Sequence, residues 1–301
     1  MVIRNGVRVF AGNFILVWKH LLFILFVALA SIGIFMLSGV KLWEVLESSG
    51  WVAGFNDMLE SVYASPSEFA TNFKEVATNL FLVIRNNFAS LWPNYLLSIF
   101  VCLFVPAFLY NVGEYSLGTV LYNRTKSLLN KSYFTTIVST LGRSSLYALL
   151  KIAVSLPFLV LLLVIGYGYG ILANNWLNAT LLLPILIMLV IFVLAARYSF
   201  LIGFLPEACS AQGSVGSAFA VAIEDHTKGY AKKLMHYFAL FIVEFGAVLF
   251  ISVFSVGVGF LIALPSVCLL NLSCSLASYY AHKSENFYAG EGIIIKPITK
   301  A

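Results

Sequence analysis

The placement of lysine and arginine constrains this chain most. Six long apolar runs divide it, and the basic residues fall almost entirely in alternate gaps between them. The runs cover roughly Asn13–Leu37, Leu91–Tyr110, Leu146–Leu172, Leu177–Phe200, Leu234–Phe254 and Phe260–Tyr280. Each meets the ~20 residues a helix needs to cross a ~30 Å hydrocarbon core. None alternates in the short segments that a membrane β-barrel requires. Of the 301 residues 61% are hydrophobic and 10% charged, against about 25% charged in a soluble domain. Such a chain has too few polar groups to cover a surface in water. The expected fold is all-α: a polytopic membrane helix bundle of about six transmembrane helices with amphipathic interfacial helices. Residues 1–301 are expected to form a single integral membrane domain.

Orientation follows from the basic residues, which concentrate on the cytoplasmic side of membrane proteins. Arg4, Arg8 and Lys19 precede or begin the first run. Arg124, Lys126, Lys131 and Arg143 follow the second, with Lys151 just inside the third. Arg197, Lys228, Lys232 and Lys233 surround the gap after the fourth, and Lys283, Lys296 and Lys300 lie in the tail. Elsewhere Lys41, Lys74 and Arg85 are outnumbered by Glu44, Glu47, Asp57, Glu60, Glu68 and Glu75. Both termini are therefore expected in the cytoplasm, with the chain in an inner or plasma membrane. Segments 111–145 and 201–233 are then cytoplasmic and 38–90 external. The net charge of +5 reads as this bias; spread over separate segments, it does not describe a nucleic-acid surface. The first run has a basic start and a small-residue site at Ala28-Leu29-Ala30, but its apolar stretch continues through Leu37. A retained span is expected rather than a cleaved signal.

Within the external segment, Ser65-Pro66-Ser67-Glu68 has the form of a helix start, with Ser65 as cap and Pro66 in the first turn. Phe69, Phe73, Val76, Leu80 and Ile84 follow at helical spacing. A second amphipathic helix is expected over Leu42–Leu59, with Trp43 and Trp51 suited to the headgroup zone. These helices read as a structural cap, or else as a lid or docking surface.

A resemblance rests on Arg197-Tyr198-Ser199-Phe200, Pro206-Glu207, the Ala-rich stretch Ala218–Ile223 and His226-Thr227-Lys228-Gly229-Tyr230. This pattern is similar to bacterial six-span integral membrane families, including the membrane portion linked to some glycerophosphodiester phosphodiesterases. Here Glu224-Asp225-His226 replaces the more usual basic-serine lead-in. The resemblance implies architecture and no particular chemistry.

Glu244 is the leading candidate site residue. It lies inside the fifth run, near the depth where an unpaired carboxylate costs several kcal/mol. Asn271 lies at similar depth in the sixth, and the short turn between these runs makes them antiparallel neighbours. Two readings stay open: an interhelical hydrogen bond, or part of a proton or cation pathway. Lys151 and Arg197 are candidate cytoplasmic-side basic residues, expected to reach towards lipid phosphates, as are Lys19 and His20. Gly166-Tyr167-Gly168-Tyr169-Gly170 reads as a small-residue contact face with aromatic-belt tyrosines. Pro106, Pro157, Pro184 and Pro265 read as shape elements, with no charged pair expected on their helices. The four cysteines form no CxxC pair, and no motif points to catalysis, a metal or a cofactor. The leading expectation is a non-enzymatic scaffold or accessory subunit of the cell envelope. The lipid bilayer is its first partner, with an envelope protein or a second copy as another. The alternative is a small-solute or ion- or proton-coupled transporter using Glu244 and Asn271.

Overall fold

The computed structural model describes residues 2–61, 66–128, 132–172, 176–210, 214–227, 229–255, 257–290 and 293–295. Ser65, Lys131, Lys228, Lys296 and Lys300 lie outside the described residues. The helices are α1 (Val2–Gly12), α2 (Ile15–Ser38), α3 (Val40–Ser48), α4 (Trp51–Ser61), α5 (Pro66–Ile99) and, after a π-helical turn at Phe100–Phe104, α6 (Val105–Thr125). There follow α7 (Tyr133–Ser139), α8 (Leu141–Leu172), α9 (Trp176–Leu201), α10 (Phe204–Ser210), α11 (Val215–Thr227), α12 (Tyr230–Phe254) and α13 (Val258–Lys283). A short antiparallel hairpin, β1 (Phe287–Gly290) with β2 (Ile293–Ile295), closes the described chain.

Six helical stretches among the described residues are long and apolar enough to cross a membrane: Ile15–Met36, Leu96–Thr125, Leu141–Leu172, Thr180–Ser210, Tyr230–Phe254 and Gly259–Lys283. The chain is an all-α polytopic membrane helix bundle. The second stretch extends well beyond the expected end near Tyr110, because α6 carries the helix through residues 111–125. Those residues are small or polar in part, yet Asn111 to Gly118 are all buried. Their polarity belongs to helix contacts within the protein, where small residues let backbones approach.

The chain divides into two compact units. One comprises residues 1–26, 107–167 and 185–301. In it α1 lies along α13, burying Val9 and turning Arg4 and Arg8 outward. Gly6 faces the Cys274 backbone, where a Cβ would stand 2.9 Å from Cys274 Cα. Buried Asn13 ties three elements at one end of this unit. Its Nδ2 donates to Val9 O at 2.9 Å and to Ala289 O of β1 at 3.2 Å, and its Oδ1 accepts from Arg124 at 3.2 Å. At the same end Tyr280, fully buried, exchanges a 2.8 Å hydrogen bond with Thr125 and stacks on Phe287. Lys126 forms an ion pair with Glu285 there.

The other unit comprises residues 27–106 and 168–184. Gly50, with φ +76°, breaks the expected Leu42–Leu59 helix into α3 and α4; that left-handed conformation suits glycine. Trp51 Nε1 donates to Val76 O at 3.0 Å and fixes α4 on α5. The expected surface helix and the start of the second span are one helix, α5, which runs through Pro93. Polar residues such as Asn86 and Asn87 end an apolar run without ending a helix, since their helical cost is only about 0.7 kcal/mol each.

Candidate functional site

Glu244 and Asn271 stand near the middles of α12 and α13, which the turn at Gly257 (φ +85°) folds back into contact. Both side chains are buried, and Asn271 Nδ2 donates to Glu244 Oε2 at 3.1 Å. Among the described residues Glu244 Oε1 and Asn271 Oδ1 have no hydrogen-bond partner. A second contact ties the pair to α9: Tyr198 Oη donates to the main-chain carbonyl of Asn271 at 2.6 Å.

Tyr198 leads directly to a second cluster. Lys151 lies about 15 Å along α8 from Leu141, at ~1.5 Å per residue. It does not reach outward to lipid. Its ammonium forms an ion pair with Glu114 of α6, the two side chains being 12% and 8% exposed, and it also lies over the Tyr147 ring. One turn further along α8, Ser155 Oγ donates to Lys151 O at 2.6 Å and accepts from Arg197 Nε at 2.8 Å. Arg197 is half-buried. The helices carrying Pro106 and Pro157 thus do share a charged pair, contrary to expectation, because α6 extends far enough to present Glu114.

A cavity of about 50 Å³ adjoins this cluster, lined by Glu114, Lys151, Arg197, Tyr198, Leu272 and Ser275 among others. A second cavity of about 50 Å³ shares Ile202 and Ser275 with the first and is lined further by Glu207, Lys233 and His282. Between them Ser275 Oγ donates to Ile202 O at 2.5 Å. Glu207 pairs with Lys283 at 2.9 Å, and Ser210 joins Glu207 to Tyr279. Each volume is room for a few waters.

Among the other residues singled out by sequence, His20 is fully buried rather than interfacial. Tyr133 Oη donates to Gly113 O at 3.3 Å. Tyr133 Oη also lies 3.0 Å from His20 Nδ1. Burial raises the Tyr133 hydroxyl above its ordinary pKa, so it stays a neutral phenol. Gly166, Gly168 and Gly170 lie within the continuous helix α8, and among the described residues nothing stands within 4 Å of where a Cβ would be. Among the described residues no three His, Cys, Asp or Glu side chains gather as a metal site.

Nothing in the sequence pattern joins Glu114 to Lys151. The signal that could have found it was the helical run from Asn111 to Leu121, which contains one charge and many small residues. Comparison with protein-family models, curated proteins and solved structures finds no match.

Proposed function

We propose that this multi-pass membrane protein resides in the cell (inner or plasma) membrane with both termini cytoplasmic, and that it carries small charged solutes. The observation behind this reading is the cavity bounded by Glu114, Lys151 and Arg197, joined through Tyr198 to the Glu244–Asn271 pair. A scaffold has no need of three ionisable groups inside its bundle. Desolvating each costs several kcal/mol even when paired, and such residues commonly mark solute or ion pathways. The orientation rests on the basic residues. Arg124 and Lys126 lie at the end of the first unit that also holds Asn13 and the C-terminal hairpin, as the cytoplasmic excess of positive charge requires.

The test is permeability of proteoliposomes made with the purified protein. Sodium formate, ammonium chloride, glycerol and urea are applied in turn, and vesicle swelling is followed by light scattering. Faster swelling than in protein-free vesicles is expected for a charged solute, with loss of that excess in Lys151→Met/Glu114→Gln. Equal swelling for all four solutes with and without protein would overturn the reading.

A further inference from the structure

We propose that Arg197 is the anchor of a binding site for a small, singly charged oxyanion, of carboxylate or similar chemistry, in the cavity it shares with Lys151. The proposal names the substrate class of the transport site just described and rests on that reading for its physiological use.

Charge balance comes first. Lys151 and Glu114 pair with each other and cancel. Arg197 is held by Ser155, a neutral acceptor, and no carboxylate among the described residues forms an ion pair with it. The cluster therefore carries one net positive charge beside a cavity inside the bundle. A poorly hydrated cation is costly until an anion accompanies it.

Donor chemistry points the same way. A guanidinium has five N–H donors in a planar fork, and Ser155 takes only the one on Nε. The terminal amino groups are left to grip an oxyanion through two parallel hydrogen bonds. Of the other hydroxyls on the cavity wall, Tyr198 donates to Asn271 O and Ser275 to Ile202 O. A cationic ligand would find Glu114 occupied by Lys151. An anion finds free donors.

Size narrows the class. About 50 Å³ holds a few waters or an anion of three or four heavy atoms, such as formate, acetate or nitrate.

The test is equilibrium binding of radiolabelled formate to the purified chain in nanodiscs of phosphatidylcholine, with sodium nitrate and sodium gluconate as competitors at constant ionic strength. Saturable binding is expected, displaced by nitrate and not by gluconate. Arg197→Gln should weaken it by about tenfold or more, the loss of a charged hydrogen-bonded contact. Arg197→Lys keeps the charge without the fork and covers the case in which the glutamine variant fails to fold; it too should bind formate more weakly. Lys126→Gln should bind as the natural protein does. Absence of saturable formate binding would overturn the proposal, as would full binding in Arg197→Lys. So would a site already filled by phosphatidylglycerol, with formate binding abolished when that lipid replaces phosphatidylcholine. Binding without vesicle permeability would sink the transport reading and leave the site standing. Permeability to ammonium without formate binding would do the reverse.

Discussion

Replacing Lys151 by methionine tests the buried pair most directly. Methionine keeps an unbranched apolar stem of similar length, so the change is chiefly the loss of the ammonium. Glu114, only 8% exposed at its side chain, is then left without its cation, while Arg197 remains engaged with Ser155. Removing one partner of a buried ion pair typically costs about 3–5 kcal/mol. One feature pulls the value to the lower end: the adjoining cavity has room for water. A loss of roughly 3 kcal/mol is expected. The double variant Lys151→Met/Glu114→Gln removes both charges and should recover most of it, because a neutral pair often replaces a buried ionic one at little net cost. Unfolding in mixed detergent micelles, followed by circular dichroism, gives the four stabilities of a double-mutant cycle. The expected order is natural protein and double variant together, with the single lysine variant well below. A single variant as stable as the natural chain, or a double variant that loses the sum of both singles, would refute the pairing.

Four further outcomes follow from the geometry. Gly6→Val forces a side chain against the Cys274 backbone and should cost about 1–3 kcal/mol, read as a lowered thermal midpoint. Gly33→Ala, with nothing within 4 Å, should instead raise stability by up to about 1 kcal/mol. Glu244→Gln keeps an acceptor for Asn271 and should leave membrane abundance unchanged. Glu244→Leu loses the 3.1 Å bond and should cost about 0.6 kcal/mol, at most about 1.7; identical abundance and thermal midpoint for both variants would show that the bond contributes nothing. Lys126 and Glu285, 25% and 44% exposed, form an outlying pair worth at most about 1 kcal/mol. Glu285→Gln should change the midpoint little at any salt concentration, and a loss like that of Lys151→Met would contradict the assigned exposure.

The six spans were legible because a continuous apolar run of ~20 residues has few other uses. Glu244 and Asn271 were legible as neighbours because a very short turn leaves two helices no other arrangement. Other features lacked such a signal. Gly50 sits between two stretches of equal amphipathic character, and only its positive φ shows the break between α3 and α4. The C-terminal hairpin had a sequence trace, Gly290-Glu291-Gly292 between short apolar runs, which the membrane pattern overshadowed. Tyr133 closing over His20 depends on a helix more than a hundred residues away in sequence.

The larger misreading concerns what polarity means in this chain. Hydropathy separates water from lipid, but the interior of a membrane bundle is a third environment, where small and polar residues are favoured at helix contacts. Residues 111–121 of α6 lose their apolar score because they are buried against other helices, and a reader of hydropathy alone takes them for a solvated gap. The same error displaced Lys151. Counted by the rule that positive charge stays inside, it helps to set orientation; paired with Glu114 inside the bundle, it is not a loop charge of the kind that rule counts. The proposed orientation then rests on Arg124, Lys126, Lys131 and Arg143 in that gap. At the cavity, Arg197 is the cation that no carboxylate among the described residues pairs, and this is what favours an anion there.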